Sequence, residues 1–201
     1  QYIRAMGTSR IVDDASTYHH TFVGATAEGR IALSSPMTIR GGTLRKSEAK
    51  DPVVYGTFSL GTGDITIQSG DVYVRSGDTF KYSSNITVET GSLVMSGDVD
   101  RQSTLIGNGS NTLTVASGAK LYIRGANDNF PQNITVNLND GSTTYYDSKF
   151  NQQVHGAHYG TLVLDYYDKT FTGNSYIAGH LYMRPMTKGE STVDFGKYSH
   201  T

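Results

Sequence analysis

From residue 56 onward the chain is a succession of short runs in which apolar and polar positions alternate. Phe58/Leu60, Ile65/Ile67, Val72/Val74, Phe80/Tyr82, Ile86/Val88 and Leu93/Met95 each read apolar, other, apolar. A period of two predicts strands with one buried face, and the Gly paired with Asp, Ser or Asn between runs predicts turns. The runs start roughly 7 residues apart. That is too close for the hairpins of a sandwich, whose turn signals recur every ~8–12 residues. Short strands joined by tight corners fit the spacing better.

Like residues also recur at a longer period. Phe58 to Phe80 is 22 positions, Ile67 to Val88 is 21, Val74 to Met95 is 21, Met95 to Val115 is 20 and Val115 to Val136 is 21. Tyr145-Tyr146-Asp147-Ser148-Lys149-Phe150 returns as Tyr166-Tyr167-Asp168-Lys169-Thr170-Phe171 after 21 residues. Recurrence at this period is the signature of a solenoid, in which each coil sets like residues over like residues. The expected fold is all-β, a right-handed parallel β-helix (β-solenoid) with about three short strands and 21 residues per coil. It is one unit over residues 1–201: irregular first coils over 1–55, regular coils over 56–183 and a terminal segment over 184–201. Phe58 is expected to stack on Phe80 and Phe150 on Phe171. Asp98 to Gln102 and Gly125 to Pro131 break the rhythm and are expected to project as loops from corners.

Composition supports strands and narrows function. Gly, Thr and Ser number 23, 24 and 20, while Asp outnumbers Glu 14 to 4. The chain is thus poor in helix formers and rich in turn and strand formers. A net charge of −1 supplies no field for nucleic acid or an anionic membrane. Apolar stretches such as Leu162-Val163-Leu164 are too short to span a bilayer, so membrane insertion is not expected. Zero cysteine removes disulfides, thiolate metal sites and cysteine nucleophiles. The abrupt start at Gln1 leads to the expectation of a piece of something longer.

The stretch from Gly118 to Met183 carries a more specific pattern. It runs Ser117-Gly118-Ala119-Lys120-Leu121-Tyr122-Ile123, Asn129-Phe130-Pro131, then Val136-Asn137-Leu138-Asn139-Asp140-Gly141-Ser142-Thr143-Thr144-Tyr145-Tyr146. Asn151-Gln152-Gln153-Val154, Tyr159-Gly160-Thr161-Leu162-Val163-Leu164, Lys169-Thr170-Phe171-Thr172-Gly173-Asn174 and Gly179-His180-Leu181-Tyr182-Met183 follow. This resembles the repeat region of very large secreted surface proteins of Bacteroidetes, exported by the type IX system and including adhesins of gliding bacteria. About a third of the chain carries the resemblance strongly and the middle third loosely. It implies a parallel β-helix, an extracellular cell-surface location and a role in adhesion or gliding motility. His155-Gly156-Ala157-His158 and Tyr166-Tyr167 stand where that family has small residues, which marks them as local specialisations. No sorting domain of the family follows Met183, as expected of a fragment or one subunit of a larger assembly.

Few residues carry candidate chemistry. His155 and His158 would ligate a metal if their corner turned both side chains inward. Gly63-Asp64, Gly70-Asp71, Gly77-Asp78 and Gly97-Asp98 suggest calcium, yet their spacing spreads most carboxylates over different corners, and only Asp78 and Asp98 would stack. Solvated histidines and Asp turns account for these residues more simply, so no cofactor is expected, with Ca²⁺ the minor alternative. For polysaccharide cleavage the best constellation is Asp147 stacked on Asp168, near Lys149 and Lys169. A surface ladder of ion pairs explains the same residues, and no catalytic residue is assigned. Tyr145, Tyr146, Tyr166 and Tyr167 are the candidate ligand-binding residues, since one ring of each pair should point outward and form an aromatic strip able to stack on sugar rings. The expected function is therefore non-enzymatic, a stalk or surface-contact segment. Its partners would be neighbouring repeats of the same protein or assembly and surface glycans. A carbohydrate-binding or polysaccharide-cleaving β-helix is the alternative.

Overall fold

The computed structural model describes residues 64–184, apart from 69, 75, 78, 83 and 99, and residues 191–201, together with the backbone of six strands between Arg10 and Leu60. Every element among the described residues is a strand, and every strand pairing is parallel. The chain is a parallel β-solenoid. A first face stacks Arg10–Asp13, Arg30–Leu33, Thr57–Leu60, Thr79–Lys81 and Thr104–Ile106. The second stacks Thr17–Tyr18, Met37–Ile39, Ile65–Ile67, Ile86–Val88, Thr112–Val115 and Thr135–Leu138. The third is a continuous sheet of seven strands, Gly42–Leu44, Asp71–Val74, Ser92–Met95, Lys120–Ile123, Thr143–Tyr146, Thr161–Asp165 and Leu181–Arg184. Toward the C-terminal end, Gln152–Val154, Lys169–Phe171 and Val193–Asp194 form one short sheet, and His158–Tyr159 with Tyr176–Ile177 form another.

Alternation along each strand sends one set of side chains into the rod and the other out of it. On the second face Ile65 and Ile67, Ile86 and Val88, and Leu113 and Val115 are buried. Between them Thr66, Thr87, Thr114 and Asn137 form the outward column of the same register. On the third face Val72, Leu93, Leu121, Thr144, Leu162 and Leu181 align, a set of five steps that average about 22 residues. Apolar columns of this kind give each coil its stability only when the next coil covers it.

The steps are unequal, from 18 residues between Thr144 and Leu162 to 28 between Leu93 and Leu121. This corrects several expected pairings. Met95 pairs with Ile123 rather than Val115, and Val115 pairs with Leu138 rather than Val136. The repeated Tyr-Tyr-Asp motif is not in register with itself, because Tyr145 and Tyr146 pair with Val163 and Leu164. Phe150 accordingly lies half-buried at a corner, and Phe171 pairs with Val154 and stacks on Phe195 at 5.1 Å. Phe58 and Phe80 do pair as expected, although the Phe58 side chain lies outside the described residues.

Two interruptions fall in successive coils, the first in the long step from Leu93 to Leu121 and the second in the 23-residue step from Leu121 to Thr144. At the first, the Asp98 carboxylate accepts from the backbone N–H groups of Asp100 and Arg101. Residues 125–131, expected to project, fold inward instead, with Asn129, Phe130 and Pro131 buried. Asn129 Nδ2 donates to the Met95 carbonyl at 3.2 Å. Asn111 Nδ2 likewise donates to the carbonyls of Tyr82 and Ser84, and Gln152 Nε2 to those of Ile123 and Gly125. Buried amides thus bond corner carbonyls, of which those of Met95 and Ile123 also accept a backbone N–H from the next coil. Just before Asp98, Gly97 lies against the next coil so closely that a Cβ would sit 2.5 Å from Gly125 Cα.

Two stability changes follow from these columns. Phe80, 1% exposed, should cost about 3–5 kcal/mol on truncation to Ala, read by chemical denaturation; a loss under ~1 kcal/mol would remove it from the core. Thr144 stands between Leu121 and Leu162 with its hydroxyl buried and unbonded. Thr144→Val, which removes that hydroxyl at nearly constant shape, should raise stability by about 1 kcal/mol in the same measurement.

Candidate functional site

At the C-terminal ends of the third-face strands the chain turns a corner, and the side chains there stack along the axis. Arg124 follows Ile123, Asp147 follows Tyr146, and Asp165 pairs directly with Arg184. The result is a column of charges in the order plus, minus, minus, plus. Arg124 holds Asp147 through Nε at 3.1 and 3.0 Å and through a terminal nitrogen at 3.0 Å. Its guanidinium also lies 4.9 Å from the centre of the Tyr122 ring. Asp165 is buried, with Arg184 Nε 3.5 Å from its Oδ1 but not aligned for a hydrogen bond. Burial raises the Asp165 pKa above the usual carboxylate value, Arg184 and Lys169 pull it back, and Asp147 pushes it further up.

Lys169 enters this corner from the inside. Only 1% exposed, it donates from Nζ to the Tyr167 carbonyl at 3.0 Å. Burial lowers its pKa to about 8, against the pull of Asp165, Asp147 and Asp168. The carbonyl it holds belongs to an outward turn. Tyr166 has φ of 64°, a left-handed conformation rare for an aromatic residue, and the rings of Tyr166 and Tyr167 are 47% and 39% exposed. Together with Gly97, Asp98, Arg124, Asp147, Ser148, Lys149 and Phe150 they line an open groove of about 740 Å³. The groove crosses four successive coils, so it runs along the rod.

The four candidate tyrosines separate. Tyr146 is interior, its hydroxyl 3.1 Å from that of Tyr159 and accepting from the His155 N–H. Tyr145 is half-buried on the outer surface of the third face and stacks on Tyr122, ring centres 4.5 Å apart at 12°. The outer column there runs Tyr73, Val94, Tyr122, Tyr145, Val163, Tyr182. Tyr122 and Tyr145 cover one another's faces, so this pair is no flat platform for a sugar ring. Tyr166 and Tyr167 stand away from that column and form the groove instead. The expected strip of Tyr145 to Tyr167 is therefore replaced by a packed ladder and a separate concave site.

Asp147 and Asp168 do not stack as the 21-residue copy suggested. The 18-residue step brings Asp165 beside Asp147, while Asp168 accepts from the backbone N–H and hydroxyl of Thr192, which lowers its pKa. Lys149 is exposed and Lys169 is interior. Arg124, Asp165 and Arg184 escaped sequence reasoning because their alignment depends on unequal coil lengths. The proposed metal ligands are each held elsewhere. His155 Nδ1 lies 2.9 Å from Asp128 and stacks on Phe130, and His158 Nε2 lies 3.3 Å from Asp140. Asp98 caps its own turn, and Asp78 lies outside the described residues. Among the described residues no three His, Cys, Asp or Glu converge as a metal site, and no helix is long and apolar enough to cross a membrane. No protein-family model, curated protein or solved structure matches the chain.

The inner anchor has a pH signature. Folded Lys169 releases its proton near pH 8, whereas an unfolded lysine does so near 10.5. Unfolding therefore takes up a proton in that window, and this residue makes stability rise with pH across it. Lys169→Met should flatten the rise relative to the parent protein in denaturation curves taken from pH 7 to 10; parallel curves would show that the ammonium is not held in the interior.

Proposed function

We propose that this chain is a non-enzymatic structural and adhesive segment of a large extracellular cell-surface protein, a stiff stalk that also offers surface contacts. The observation that carries the reading is the continuous third face, seven parallel strands in one sheet. Six steps at the ~4.8 Å strand spacing carry it about 29 Å along the axis. Such a rod sets length by adding coils and resists bending, because each coil is bonded to its neighbours along several faces. The outward column of the second face, Thr66, Thr87, Thr114 and Asn137, repeats a small polar surface from coil to coil. Repeated surfaces suit many weak contacts acting together. The resemblance to type IX-exported surface proteins of Bacteroidetes agrees with this reading and sets its expected location outside the cell.

The acid pair at the corner favours a second reading, a polysaccharide-cleaving β-helix. Asp147 is committed to a strong bidentate pair with Arg124, and Asp165 has its side chain only 12% exposed. A general acid must reach the bond it protonates, so this burial favours the structural role. Incubation with neutral and acidic polysaccharides, followed by mass spectrometry of released oligosaccharides, should show no products. Cleavage that disappears in Asp147→Asn or Asp165→Asn would replace the structural reading with the enzymatic one.

A further inference from the structure

We infer that the corner groove bounded by Arg124, Asp147, Lys149, Phe150, Tyr166 and Tyr167 is a binding site for a neutral carbohydrate chain lying along the rod axis. This rests on the reading of the chain as a contact segment and names what one of its surfaces contacts.

Shape comes first. The groove follows the corner through the coils that hold Gly97, Arg124, Asp147 and Tyr166, three steps or about 14 Å, the length of a short oligosaccharide. Its occupant is therefore extended and parallel to the stacking direction. Chemistry narrows it further. The lining offers three aromatic side chains, Phe150, Tyr166 and Tyr167, and the Arg124 and Asp147 pair. Aromatic rings accept the apolar C–H faces of sugar rings, and planar charged groups already held in place exchange hydrogen bonds with hydroxyls. Charge decides between sugar classes. Arg124 and Lys149 balance Asp98 and Asp147 around the groove, so neither a polyanion nor a polycation is favoured.

Backbone bonding excludes an added peptide strand. The corner donors are already used within the rod: Arg124 N–H bonds the Met95 carbonyl, Asp147 N–H that of Ile123 and Tyr166 N–H that of Arg184. A peptide in the groove would find no free strand edge. The tyrosine turn is built rather than incidental. Tyr166 keeps a left-handed backbone conformation, and Lys169 grips the Tyr167 carbonyl from the interior. Unfavourable backbone conformations persist where surrounding structure over-determines them, and a pre-set turn lowers the ordering cost of binding.

The test uses isothermal titration calorimetry with cellohexaose, laminarihexaose, mannohexaose and maltohexaose, with hexagalacturonate and an extended Gly-Ser peptide as competitors of other chemistry. At least one neutral hexasaccharide should bind in about the millimolar range. Tyr167→Ala and Tyr166→Gly should each weaken it by about three- to tenfold, with thermal midpoints showing that the rod remains folded. Tyr176→Ala, which removes an exposed ring on another face, should leave binding unchanged and serves as the comparison. If Tyr166→Gly fails to fold, Tyr167→Ala decides alone. Absence of binding by every neutral sugar, binding of hexagalacturonate or the peptide alone, or neutral binding that survives Tyr167→Ala would overturn the site. Mass spectrometry of the same mixtures separates the two proposals. Cleaved sugar would sink the non-enzymatic reading and leave the groove, while a folded rod that binds nothing would sink the groove and leave the stalk.

Discussion

Everything in this molecule depends on coils covering one another in register. A three- or four-residue strand cannot stand alone, because its inward residues form only part of a core and its backbone donors lack partners. Parallel pairing solves both needs at once. When Val72, Leu93 and Leu121 align, their apolar surfaces close against each other and the ladder of backbone bonds is completed in the same step. Any change in coil length must therefore be absorbed at corners, where the register is not set by side-chain columns.

The corners are consequently where the individual character of the chain resides. Asn111, Asn129 and Gln152 turn buried amides toward backbone carbonyls at the corners. Lys169 does the same with a charge, gripping the Tyr167 carbonyl from inside the rod. A buried ammonium is costly, and its lowered pKa is the sign of that cost. That bond holds the turn that displays two tyrosines. Regular faces give the rod its stiffness, and strained corners give it a surface that differs from coil to coil.

Charge at the same corner follows equal logic. Asp147 and Asp165 come together because two coils stack, and the repulsion is relieved by Arg124 on one side and Arg184 on the other. Such a column is a solution to stacking before it is anything chemical. The groove beside it inherits fixed polar groups from this arrangement, along with the aromatic wall of Phe150, Tyr166 and Tyr167.

The period-two alternation of Ile65/Ile67, Val72/Val74 and Leu93/Met95 by itself determined the strands and their inward faces, because burial on one side of a strand leaves that mark in any short segment. The recurrence of like residues about 21 positions apart determined the solenoid class and the pairing of Phe58 with Phe80. It did not determine the pairings beyond Met95. An identical motif 21 residues on, Tyr145-Tyr146-Asp147 and Tyr166-Tyr167-Asp168, looked like one coil, yet the chain steps by 18 there and leaves the second copy at a corner. Local sequence cannot report a step, because step length is set by how much chain the corners absorb, and that depends on the coil beneath. Asp165 beside Asp147, Lys169 turned inward and the groove under Tyr166 and Tyr167 are all products of that step, and only the stacked structure decided them.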